Sequence, residues 1–378
     1  MKKLQLFANL LFITLLLIIL LNFALGWIWE IRTKVKFKNF KPYDDIVLKA
    51  LNLNEKEGLT LYLETFIDRK YDYDQFTEHA ENNGYENKYV NVTPVLGRKT
   101  ISPKDCNKNI LFYGGSTTFG YNVTDFQTIP SYLGEMLIEN NQKICIKNFG
   151  RGSYFSTQET ILFQKHILNK TIKKNDIIIF LNGVNENGNR NSRNTRFLYN
   201  SNEVLNQKYW DMYKYTFPIF FNSLAINQFV KRVQTKLNIQ KKNTLDQTNI
   251  FEQKDDLEHV YQKNIDIRNG ICQTIKVNCF NLLQPFASIH GKYFENSVGG
   301  AAQNQVRIYQ QAWNLEVGQS GSLLNKYNSL KDTLGIIDIS SSLKNSVKLS
   351  YVDGVHYSPD ANKKIAIRIY NIIFNEIN

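Results

Sequence analysis

Five short apolar runs, each followed by a polar or glycine-rich break, set the main rhythm of the chain: "NILFY" at 109–113, "ICIKN" at 144–148, "DIIIFLN" at 176–182, "IKVNCFNLL" at 275–283 and "GIIDI" at 335–339. Segments of helical length separate them. Continuous β-branched runs alternating with helices predict buried parallel strands, and hence an α/β/α sandwich of three layers around a parallel sheet. The last helix is the most clearly marked. Ser358 can cap it, Pro359 suits its first position, and Ala361, Ile365, Ile369, Ile372 and Ile373 recur along one face that should close the sheet.

A different pattern opens the chain. Residues 4–29, "LQLFANLLFITLLLIILLNFALGWIW", carry no charge, and at about 1.5 Å rise per residue they can cross a hydrocarbon core of about 30 Å. Lys2 and Lys3 ahead of the run, with the small residues Ala24 and Gly26 near its end, also fit a cleavable signal peptide. The length of the run, and Trp27 and Trp29 placed as an interfacial belt, favour a single-pass membrane anchor. Arg32, Lys34, Lys36, Lys38 and Lys41 follow it, a bias that by itself would hold the rest of the chain in the cytoplasm, although large domains translocate against it.

Residues 30–105 are mixed and polar, with an acidic, tyrosine-rich patch "RKYDYDQFTEHAENNGYENKYVNV". They read as a stalk and an arm laid over a domain at 106–378. Within that domain residues 189–254 interrupt the alternation with an Asn-, Lys- and aromatic-rich insertion, in which Leu224, Phe229, Val230, Val233 and Leu237 share a helical stripe. A packed cap is one reading, and a lid or membrane-lying helix the other.

Composition narrows the class. The 378 residues are 43% hydrophobic and 21% charged, enough for a sizeable core. The formal net charge of +12 comes from scattered lysines with no basic stripe, which argues for a solvated surface and against nucleic acid as a partner. Cys106, Cys145, Cys272 and Cys279 lack metal-ligand spacing and leave the redox compartment open.

In an open α/β sheet ligands meet the carboxyl ends of the strands, so the residues after each apolar run are the candidates for chemistry. Gly114 and Gly115 permit a tight turn that would lift the Ser116 hydroxyl to the sheet edge. In "NFGRGSYF" Gly150 and Gly152 leave backbone N–H groups able to approach a ligand as oxyanion donors. Asn185, after the third run, offers a neutral side-chain donor. Asp353 and His356 stand three residues apart just before the last helix, a spacing that lets the carboxylate accept from imidazole Nδ1–H while Nε2 faces a serine. Each segment alone is ordinary loop material; His79, His166, His259 and His290 read as surface or packing residues.

In their order and placement the four segments resemble the blocks of the SGNH hydrolases, the GDSL-like esterases. The resemblance covers roughly residues 108–378. It implies Ser116 as nucleophile, His356 as base and Asp353 as its orienting acid. It implies an oxyanion hole from the backbone N–H of Ser116, that of Gly152 or Ser153, and the Asn185 amide. No metal or organic cofactor is implied. Gly115 departs from the acid of the "GDS" form, and Glu186 from the Asp that usually follows the block III asparagine. These departures resemble membrane-anchored members associated with envelope polysaccharides. An ordinary α/β-hydrolase has the same Ser, Asp, His order, but Thr118 occupies the last position of its G-x-S-x-G elbow.

The expectation is therefore an extracytoplasmic esterase acting on O-acetyl esters of a polysaccharide. The alternatives are an O-acetyltransferase served by an acyl-donor membrane protein, and a non-catalytic glycan-binding protein.

Overall fold

The computed structural model describes residues 2–37, 40–69, 71–74, 76–81, 84–188, 257–286, 329–343, 346 and 348–377. The insertion at 189–254 lies outside these. Helix α1 (Lys2–Phe37) contains the apolar run, and its stretch Gln5–Ile28 is long and apolar enough to cross a membrane, a test that a signal sequence also passes. It falls in a different compact unit from the residues that begin at Lys41.

The second unit starts with two capped helices, α2 (Asp45–Leu51) and α3 (Glu55–Phe66). Asp44 accepts from the Val47 N–H, and Asn54 and Glu57 form a reciprocal capping box. A hairpin, β1 (Asp72–Asp74) and β2 (Glu78–Ala80), follows, then an antiparallel pair, β3 (Val92–Thr93) and β4 (Gly97–Arg98). The five apolar runs supply β5 (Lys108–Gly114), β6 (Ile144–Asn148), β7 (Ile177–Asn182), β8 (Asn278–Leu283) and β9 (Ile336–Asp338). The seven-stranded sheet runs β3-β4-β6-β5-β7-β8-β9 and is parallel throughout except at β3. The polar arm thus contributes an edge to the sheet.

Between the strands lie α4 (Ser116–Phe119), α5 (Ile129–Glu139), α6 (Ser156–Leu168), α7 (Val184–Gly188) and α8 (Leu257–Ile275); α9 (Pro359–Ile377) ends the fold. Alternate side chains of a strand point to opposite faces. Ile110, Phe112, Ile177 and Ile179 accordingly pack against α5 and against Ala361, Ile365, Ile369 and Ile373 of α9. Leu111, Tyr113, Ile178 and Phe180 pack the other way, toward Phe163 of α6 and Cys272 of α8. This is the expected three-layer arrangement. Each isoleucine of α9 that is fully buried contributes roughly 1.5–3 kcal/mol of transfer free energy, and the Ser358 hydroxyl accepts from the Ala361 N–H to start the helix in register. Two disulfides, Cys106–Cys145 and Cys272–Cys279, tie β6 to the approach to β5 and β8 to α8.

Candidate active site

The strands built from the five apolar runs follow the order β6-β5-β7-β8-β9, so the chain goes to one side of β5 to make β6 and then crosses to the other side to make β7. That reversal opens a crevice at the carboxyl ends of β5 and β7, the place where open α/β sheets bind ligands. Ser116 follows β5 and Asn185 follows β7, two strands held in register by the Gly114–Leu181 pair.

Gly115 caps the short helix α4 and lets the two sides meet. A Cβ on it would stand 2.4 Å from Asn185 Nδ2, so the residue preceding Ser116 must be a glycine for Asn185 to lie where it does.

Asp353 and His356 arrive from the opposite end of the chain on a turn closed by the Tyr351–Tyr357 bridge and by the Val352 N–H donating to the His356 carbonyl at 2.9 Å. Asp353 Oδ1 accepts the backbone N–H groups of Val355 (2.8 Å) and His356 (2.7 Å). Its Oδ2 lies 2.6 Å from His356 Nδ1, and His356 Nε2 lies 2.8 Å from Ser116 Oγ. Burial pushes the Asp353 carboxyl up, but the charge of the imidazole and the bonds from His356 and Val355 outweigh it and hold the group below its ordinary value. An ionised carboxylate can only accept, which places the proton on Nδ1 and leaves Nε2 to accept from the serine hydroxyl.

The loop after β6 faces this chain. The Tyr154 N–H closes a turn onto the Arg151 carbonyl at 3.3 Å, with Gly152 and Ser153 at its centre and Ser153 in the left-handed region at φ +63°. A Cβ at Gly152 would sit 2.0 Å from the Tyr121 hydroxyl, so the loop needs a glycine there too. Asn185 Nδ2 donates to the Tyr154 carbonyl at 2.7 Å, which fixes the nitrogen side of the amide toward Gly115. Glu186 points away from the crevice: its carboxylate accepts the Ser156 N–H at 2.6 Å and the Ser156 hydroxyl at 2.9 Å at the start of α6. Burial, and next to it the charge of Glu159, push its carboxyl up to about 7.

The arm reaches this site at points that no sequence pattern marks. Tyr121 stacks on His356, with centroids 5.0 Å apart and planes 19° apart, and its hydroxyl meets that of Tyr71 at 2.9 Å. Phe66 packs edge-on against Tyr121 at 5.3 Å. Buried Glu81 pairs with Arg69 on one side and on the other with Arg151, at 2.6 Å, immediately before Gly152. His79 packs edge-on between Tyr71 and Tyr154 as a packing residue, and also donates to the Gly152 carbonyl. His166 lies against Tyr113 and Phe149, where burial drives its imidazole down to about 3. His259 is exposed, and His290 lies outside the described residues.

No family model and no curated protein matches the chain. Among solved structures it is similar to a member of the lipolytic protein G-D-S-L family from Veillonella parvula, at 10% identity over 71% of this chain and 98% of that one, TM-score 0.37. It is similar to a lipase/acylhydrolase from Enterococcus faecalis, at 12% identity over 71% and 96%, TM-score 0.36. An acetyl xylan esterase from Geobacillus stearothermophilus aligns at 11% identity over 72% and 96%, TM-score 0.35.

Proposed function

We propose that the chain is a serine esterase that removes O-acyl groups, chiefly O-acetyl, from a cell-envelope polysaccharide. The observation that carries this reading is the unbroken hydrogen-bonded chain from Ser116 Oγ through His356 to Asp353 at the sheet's switch point. His356 Nε2 takes the hydroxyl proton as Ser116 Oγ bonds to the ester carbonyl carbon, and Asp353 stabilises the imidazolium. The carbonyl oxygen, now negative, is held by the backbone N–H of Ser116, that of Gly152 or Ser153, and the Asn185 amide. The imidazolium returns its proton to the departing sugar oxygen as the C–O bond breaks, leaving an acyl-serine. A water, deprotonated by His356, then attacks the acyl carbon and releases a carboxylic acid.

The exposed faces of Phe66 and Tyr71, 39% and 45% accessible, stand beside Tyr121 and suit the apolar faces of sugar rings. Two disulfides, together with an apolar helix ahead of the domain, support an extracytoplasmic location, since such bonds persist in oxidising compartments. The deciding experiment is product analysis with an acetylated glycan, with and without a second glycan as acceptor, alongside fluorophosphonate labelling. Free acetate and a labelled Ser116 support hydrolysis; acetyl groups recovered on the acceptor identify transfer by the same residues; no label and no product leave a glycan-binding protein.

A further inference from the structure

Asp353 Oδ2 is shared. Besides the imidazole Nδ1–H it accepts from Asn122 Nδ2 at 2.6 Å, and the other end of that amide, Oδ1, accepts the Tyr43 hydroxyl at 2.7 Å. The orientation of the amide follows from chemistry: a carboxylate repels a carbonyl oxygen, so the NH₂ must face Asp353. Tyr43 stays a neutral donor, because burial and then the charge of Asp353 raise its pKa far above the ordinary phenol value. Asn122 and Tyr43 are both buried, at 2% and 7% exposure.

The loop that presents Asn122 is built to hold it still. Asn122 takes the left-handed region at φ +63°, where asparagine is among the few residues accommodated without a large penalty. Buried Arg98 of β4 spans the loop, donating to the carbonyls of Phe119 (3.0 Å), Gly120 and Val123 (2.7 Å) and pairing with Asp125 at 3.1 Å. One dipeptide therefore addresses both partners of the serine: the Tyr121 ring lies on the imidazole, and the Asn122 amide lies on the carboxylate.

Resting on the esterase reading above, we propose that Asn122, aimed by Tyr43, is a positioning residue for Asp353. By drawing electron density from Oδ2, its amide makes the carboxylate a weaker partner for imidazolium. It also fixes the oxygen toward which the ring must turn. Removing the amide should therefore let the imidazolium form more readily and let the ring wander, which lowers turnover and moves the acid limb of the pH profile upward.

The test uses the full chain and p-nitrophenyl acetate. Asn122→Ala should lower kcat about tenfold with little change in KM, the loss expected for a buried bond to a charged group, and should shift the acid limb of kcat/KM to higher pH. Tyr43→Phe keeps the ring and its packing and should shift the limb in the same direction by less, so it carries the test where an Asn122 variant fails to fold. Variants of lowered thermal midpoint with a wild-type pH profile and kcat would reduce the pair to a structural tack and overturn the proposal. A wild-type chain that neither hydrolyses the ester nor takes a fluorophosphonate on Ser116 would overturn the esterase reading and this proposal with it.

Discussion

His79 and Gly152 are joined by one 2.9 Å hydrogen bond, from the imidazole Nε2–H to the carbonyl oxygen, between the β1–β2 hairpin and the loop after β6. In a trans peptide the following N–H points the opposite way, so this bond sets the direction of the Ser153 N–H as well. Burial lowers the His79 pKa, the Gly152 bond only partly opposing it. His79→Ala should cost about 1 kcal/mol of transition-state stabilisation, roughly a fivefold loss, expressed in kcat. Steady-state kinetics that match the wild type would detach the hairpin from the proposed oxyanion loop.

Replacing Ser116 or His356 by Ala should reduce ester turnover by orders of magnitude while circular dichroism stays native, because neither side chain is part of the packed core. Asn185→Ala should cost roughly 2.7–4 kcal/mol if its amide stabilises the oxyanion. Gly115→Asp tests the same contact from the other side: its Cβ falls 2.4 Å from the Asn185 nitrogen. The variant should fold with a displaced amide and a turnover as low as that of Asn185→Ala; full activity would show that Asn185 is not required where it lies.

Glu186 has a carboxyl raised from 4.5 to about 7, by burial first and the Glu159 charge second, against the opposing bonds from Ser156. A raised folded-state value means that the group's stability is fully present below pH 4.5 and is lost as pH rises through about 7, on the order of 3 kcal/mol. Glu186→Gln removes that ionisation, while Asp74, His79 and the other titrating groups are the same in both proteins. The thermal midpoint of the variant relative to wild type should therefore climb between pH 4.5 and 8. A difference that stays flat would mean that Glu186 is ionised throughout.

For topology, protease added to intact spheroplasts should digest the domain beyond residue 41. Complete protection would mean that the basic residues after Trp29 had kept it in the cytoplasm.

The parts of this fold that were legible in advance share one physical cause. β5 to β9 and α9 bury apolar side chains, and burial leaves a periodic trace in the residues themselves. Ser116, Asn185 and the Asp353, His356 pair stand at the ends of those runs, so the same trace located them. β3 and β4 escaped because two-residue strands such as Val92–Thr93 and Gly97–Arg98 have no period. Asn122, Tyr43 and His79 escaped because polar contacts have no local signature: Asn122 meets Asp353 across 231 residues, and His79 meets Gly152 across 73. The resemblance left the choice between Gly152 and Ser153 open, and one turn contains both residues, with their N–H groups in adjacent peptide planes.

The 240 residues between Ser116 and His356 also set a clock. Synthesis runs from the N-terminus at about 5–20 residues per second, so the serine emerges some 12–48 s before the histidine that bonds to it. The isoleucines of α9, which follow that turn directly, pack on the sheet beside Tyr351 and Tyr357 and so add to the contacts that hold Asp353 and His356 in place. On the esterase reading proposed above, a chain still in the course of synthesis is chemically silent toward the esters around it, and ester cleavage waits on the burial of α9.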